Sequence, residues 1–300
     1  TIAKAALIPS VLYYLTLLAI IHLEAVSKNM GTLPPELVPS AASVLRRLYY
    51  LFPLVFLITI LLMGRSVIAC AYYGTVCIVI LSMIRSETRF TFKRLCGALE
   101  LSAKNAMMVS SCCACAGIII GVLNLTGTGL KFASGIIALS GGILPIALIL
   151  TMGSSLILGM GLPTAAAYLI CAAVIVPALT GLGVPALTGH LFIFYFACLS
   201  AITPPVALAA FTAASLGKTK PMGVALTAVR LGIVAFIVPF MFVYAPSLLW
   251  QGSLPEILGT LATSLCGVFF LGSALQGAFR DRVLNMGQRG LFLLGSLALI

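Results

Sequence analysis

Long apolar runs separated by short polar connections dominate the chain. Residues 5–26, 48–64, 66–84, 106–126, 223–245 and 254–276 are almost uninterrupted in their apolar character. Each approaches the roughly 20 residues that an α-helix needs to cross hydrocarbon. The pattern predicts an all-α integral membrane protein with several spans. Two further apolar regions, 142–181 and 190–216, lie between the fourth and fifth runs, and glycine and proline interrupt both.

These interruptions carry the candidate chemistry. Non-helical backbone at hydrocarbon depth leaves amides and carbonyls without helical partners, and it is tolerated only where protein, water or an ion satisfies them. The first break reads GMGLPT, with Gly159, Gly161 and Pro163, preceded by Ser155 and followed by Thr164. Glycine permits a tight turn and close backbone approach, and proline starts a new helix readily. The second break, SAITPPV at 200–206, has two consecutive prolines, Pro204 and Pro205. They remove two amide donors and are expected to leave carbonyls one turn upstream free as ligands for a hard cation. The sequence therefore nominates Ser155, Gly159, Gly161, Thr164, Ser200 and Thr203 as a sodium-site region. Thr164, Thr203, Pro204 and Pro205 form an overlapping candidate substrate region. Either break alone also fits an ordinary kink or turn.

Composition changes the picture in one direction. The chain is 62% hydrophobic and 8% charged, against about 25% charged in soluble domains, so its main solvent is lipid. The net charge of +11 does not indicate nucleic acid, because the basic residues sit between the apolar runs. Treating 142–181 as a re-entrant hairpin and 190–216 as one broken crossing puts thirteen basic residues on one side: Lys28, Arg46, Arg47, Arg85, Arg89, Lys93, Arg94, Lys104, Lys218, Lys220, Arg280, Arg282 and Arg289. Lys4, Arg65 and Lys131 fall on the other, and Arg230 lies within a run. Short basic loops stay cytoplasmic, so the hairpin is expected to enter from outside; a full crossing at 142–181 would erase most of the bias. Residues 91–104 are mixed in character and read as an interfacial helix or a plain connector. The organisation that follows is 1–104 as scaffold helices and interfacial arm, 105–222 as a transport region holding hairpin and broken helix, and 223–300 as C-terminal helices.

The remaining polar residues suggest structural roles. Glu24 pairs with Lys28 at i,i+4 spacing, Arg230 snorkels or pairs, and the stretch from Asn124 to Gly129 forms a polar turn or contributes to an ion site. His22 and His190 are too far apart in sequence to suggest a metal site. Cys112, Cys113 and Cys115 read as small packing residues. No intramembrane cluster of Asp, Glu, Lys or His supports an enzyme. The chain starts at Thr1 and ends in the apolar run 290–300, which reads as a fragment of a longer polypeptide.

Three segments resemble the large membrane subunit of tripartite ATP-independent periplasmic (TRAP) transporters: GMGLPTAAAYL at 159–169, HLFIFYFACLSAITPPVALAAFTAA at 190–214 and RLGIVAFIVPFMFVYAPSLL at 230–249. The closest type is the fused permease that works with TAXI-class binding proteins, and the opening run IPSVLYYLTLLAIIHLEAVSKNMG is similar to that type too. The resemblance implies an inverted-repeat elevator transporter that uses a sodium gradient to take up organic acid anions, dicarboxylates among them. It implies an extracytoplasmic TAXI-type binding protein and a small membrane subunit, often fused upstream, as partners. On that resemblance 159–164 is the tip of the second hairpin, and the corresponding elements of the first repeat lie upstream of Thr1. A channel or exporter with a constriction at the breaks is the competing reading.

Overall fold

The computed structural model describes all residues except 1, 32, 33, 35, 37, 85–88, 90, 280 and 281. Arg85 and Arg280, counted above on the basic side, and the side chain of Arg282 therefore lie outside the described residues. The contacts divide the chain into two compact units, Thr1–Lys4 with Met30–Met107, and Ala5–Asn29 with Met108–Ile300.

The first unit holds α2 (Ala41–Leu45), a 3-10 turn at Leu48–Leu51, α3 (Phe52–Leu62), α4 (Val67–Ile84) and the start of α5 (Phe92–Thr126). Helices α3 and α4 pack together, and Gly74 admits Leu57, whose Cδ1 would lie 3.2 Å from a Cβ placed there. Residues 92–104, expected as an interfacial helix or a connector, are helical. They are continuous with the apolar segment in one 35-residue helix that holds no proline, and Gly127, with a positive φ of 65°, follows its last residue.

The second unit begins with α1 (Ile2–Ser27) from Ala5 onward. It continues from Met108 with the rest of α5, then α6 (Thr128–Ser140), α7 (Leu144–Gly159), α8 (Thr164–Gly181), α9 (Ala186–Leu199) and α10 (Leu208–Leu216). The apolar run 223–245 is not one straight helix: α11 (Pro221–Gly232) gives way to a 3-10 turn at Ile233–Phe236 and then to α12 (Val238–Tyr244). Pro239 cannot donate to the carbonyl one turn earlier, which favours this interruption. Helix α13 (Leu254–Gln276) starts where Ser253 and Glu256 form a reciprocal capping box. It stops at Gly277, with φ of 69°, where Arg289 donates from Nε to the Ala274 carbonyl at 2.8 Å. A two-residue antiparallel ladder pairs Ala278–Phe279 with Arg282–Val283 before α14 (Met286–Leu299) packs back on α13. So short a ladder leaves the chain all-α.

Helices α6 to α9 form the densest part of this unit. Its aromatic centre is Phe192 and Phe196 of α9, whose rings meet Phe240 edge-on at 5.4 and 6.1 Å. Helix α6, which the hydrophobic pattern did not separate from its neighbours, packs on α8, with Gly129 against the Ala173 carbonyl and Ile137 against Gly181. Among the described residues seven helical stretches are long and apolar enough to cross a membrane. They include the six expected runs and also α8, which at 18 residues has the length for a crossing of its own. Large apolar side chains such as Ile68, Leu125 and Leu297 are mostly exposed, as a lipid solvent requires.

Close approach of α1 to α13 depends on Gly272, where a Cβ would lie 3.1 Å from Ile20 Cγ1. Gly272→Val is expected to overpack this contact and to destabilise the protein by about 1–3 kcal/mol. Gly259→Ala, with open space around it, should be neutral or stabilising. Thermal unfolding in detergent measures both.

Candidate functional site

Helices α7 and α8 form a helical hairpin, and α9 and α10 are two halves separated by residues 200–207. On α7 the buried positions are Ala147, Leu148, Thr151, Ser155 and Gly159, a stripe at helical spacing that ends at the first glycine of the break. Helix α9 packs against both arms of the hairpin, burying Phe192, Phe196 and Leu199. The last turns of α7 and α9 thus bring Gly159 and Ser200 together.

Pro163 explains why they meet. In a continuous helix its amide would donate to the Gly159 carbonyl, but proline has no N–H. The Gly159 carbonyl instead accepts from the Leu162 amide at 3.3 Å and from the Ser200 hydroxyl at 3.1 Å. Ser200 Oγ also lies 2.8 Å from the Ala197 carbonyl, so its single proton is shared between two acceptors. Ser200 is buried, and Gly159 must lack a side chain for the contact to form: a Cβ there would lie 2.8 Å from Ser200 Oγ.

The second break refills its own donors, contrary to the expectation of free carbonyls. Pro204 deprives the Ser200 carbonyl of its helical partner, and the Thr203 amide replaces it at 3.3 Å. Pro205 deprives Ala201, whose carbonyl accepts from the Ala209 amide at 2.9 Å across the break. Each carbonyl keeps one lone pair. Thr203 directs its hydroxyl proton back to the Leu199 carbonyl at 2.8 Å. Pro204 is half-buried and Pro205 exposed.

The other nominated residues occupy distinct places. Gly161 takes φ of 74° at the hairpin tip and faces the second break, with Val206 Cγ1 3.3 Å from where its Cβ would be. Thr164 opens α8 and is half-buried; no hydrogen bond joins it to Thr203. Ser155 is fully buried and its hydroxyl has no hydrogen-bond partner, while its carbonyl accepts from the Cys171 thiol at 3.7 Å. The arrangement therefore offers neutral oxygens, the ligand type that hard cations take.

Residues 1–257 match the family described as "Tripartite ATP-independent periplasmic transporter, DctM component". The chain belongs to this family. No curated protein and no solved structure matches it. As a DctM-family protein it is a multi-pass inner-membrane protein, in keeping with its seven spanning-length helices, and the family is one of transporters rather than enzymes.

Several contacts around the two breaks of this DctM-family protein were not anticipated from the sequence. Tyr168 of α8 hydrogen-bonds His190 of α9 at 3.0 Å and stacks edge-on with Phe194. His190 thus helps fasten the hairpin to the broken helix, and among the described residues no group of three His, Cys, Asp or Glu is placed to hold a metal. A cavity of about 320 Å³ reaches the break at Leu199 and Ile202. Its walls are mostly aromatic and aliphatic, with Tyr13, Tyr195 and Phe242 beside Ser10 and Cys198, and no charged side chain lines it. The one sequence signal for the central contact was the Gly159/Pro163 spacing, which marks the Gly159 carbonyl as short of a donor.

Gly159→Ala forces Ser200 to move, and Ser200→Ala removes its hydroxyl. Ser200→Ala is expected to lower stability by about 0.5–1.5 kcal/mol. The double variant should lose less than the two single losses combined, because both act on one contact. Thermal unfolding of the four proteins closes the cycle.

Proposed function

We propose that this DctM-family protein is the membrane permease of a sodium-coupled uptake system for organic acid anions. The observation that carries the reading is the Ser200 hydroxyl on the Gly159 carbonyl, which joins the tip of one discontinuous element to the break of another. Discontinuous helices facing each other are how many secondary transporters build midplane sites for ions and substrates.

In this reading 142–181 is a re-entrant hairpin entering from outside, supported by the positive-inside bias rather than by helix length. Region 105–222 is the moving transport domain, 1–104 the scaffold and 223–300 further membrane helices, in an inverted-repeat elevator. The coupling sodium ion draws on oxygens of Ser155, Gly159, Gly161, Thr164, Ser200 and Thr203. The substrate carboxylate meets Thr164, Thr203 and the backbone beside Pro204 and Pro205, neutralised by helix ends and the neighbouring cation. A TAXI-type binding protein delivers the anion, and a small membrane subunit completes the permease.

Uptake of radiolabelled organic acids into proteoliposomes holding the intact permease, with its binding protein outside, tests this proposal. Accumulation is expected only with an inward sodium gradient and binding protein. Thr164→Val and Thr203→Val should each reduce uptake or shift its sodium dependence. Downhill flux indifferent to both sodium and binding protein would overturn the proposal in favour of a channel.

A further inference from the structure

Helix α11 lies along the α9/α10 break like a splint. On the α10 side, Ala207 and Ala210 form a buried cluster with Ala225, backed by Phe211, Val224 and Ala228. On the α9 side, Ile202 lies against Gly232, its Cδ1 3.4 Å from where a Cβ would be. One short helix therefore touches the chain both before and after the two prolines. A break whose backbone geometry depends on few helical hydrogen bonds depends correspondingly on what packs against it.

The splint has its own anchor. Arg230, in the last turn of α11, pairs through Nη2 with Glu24 Oε1 of α1. Lys28 Nζ meets the same oxygen at 2.7 Å. Glu24 is only 8% exposed, whereas the Lys28 and Arg230 side chains are about half exposed. A carboxylate at such a position is costly unless it is paired. Lys28 sits on Glu24's own helix and pairs with it wherever α1 goes. Arg230 is the partner that ties one helix to another, and its charge also suits the C-terminal end of α11.

We propose that Glu24 is a positioning residue for transport: through Arg230 it holds α11, and with it the break at 200–207, in place against α1. The inference rests on the reading that this break takes part in solute movement, but the restraint itself can be measured without solute or sodium.

The experiment places a single cysteine at Ile202 in the full-length permease, with its native cysteines replaced, and follows its reaction with a maleimide in lipid nanodiscs. Glu24→Gln and Arg230→Gln should each speed labelling by roughly fivefold, the effect of a small loss of local stability. The double variant should be no faster than the faster single, because both remove one link. Arg230→Lys should keep the parental rate, and Lys28→Gln should change it little, as expected for an exposed i,i+4 pair. A cysteine at Leu265 of α13 reports general loosening and should be unaffected.

Unchanged labelling at Ile202, singles that multiply in the double variant, or equal acceleration at Leu265 would each overturn the proposal. Should Glu24→Gln fail to assemble, Arg230→Gln against Arg230→Lys decides the matter. Because labelling needs neither solute nor sodium, its failure is distinct from failure of the uptake experiment. If the break does take part in transport, Glu24→Gln should alter maximal uptake more than apparent solute affinity.

Discussion

A single missing amide organises the centre of this protein. Pro163 cannot donate to the Gly159 carbonyl, and a buried carbonyl in a lipid-facing protein must find a donor elsewhere. The Leu162 amide supplies one locally and the Ser200 hydroxyl a second from a different helix, so a local defect in the hairpin is joined by a tertiary contact with the broken helix. The requirement runs in both directions: position 159 must be glycine for the hydroxyl to approach, and position 200 must carry a short donor.

The second break uses the same physics within itself. Two prolines remove two helical donors, and the amides of Thr203 and Ala209 take over the stranded carbonyls. The two stranded carbonyls are thereby satisfied without a regular helix, and they retain lone pairs for a further partner. With the Ser200 and Thr203 hydroxyls nearby, the region is rich in neutral oxygens but has no fixed charge of its own. Such chemistry suits a cation that loses and regains its water, and an anion only when that cation accompanies it. The cavity beside Leu199 and Ile202 is lined by no charged side chain.

Charge within the helices is used sparingly, and for geometry. Glu24 is buried on α1 and shared between Lys28 and Arg230. Arg289 closes the exposed carbonyl end of α13. Both devices fix one helix against another at their ends, where the side chains still reach water. In the interior that task passes to glycine contacts such as Gly272 with Ile20 and Gly232 with Ile202, in keeping with helix packing in membranes, which relies on close approach of small residues.

The sequence by itself determined the solvent, the class and the punctuation. Apolar runs of spanning length, with most charges between them and Arg230 an exception inside one, point to membrane helices, and GMGLPT and SAITPPV stop helices because glycine and proline act on the local backbone. Helix α13 began and ended where its pattern and caps required. Partnership was decided only by the tertiary structure. That Ser200 serves the carbonyl stranded by Pro163, that Ala209 reaches Ala201 across the break, and that Glu24 pairs with Arg230 as well as Lys28 all depend on what lies nearby in space. A missing donor can be read from one proline. The group that replaces it can come from any element the fold brings within about 3 Å, and separations of 41 and 206 residues leave no periodic trace in a linear chain.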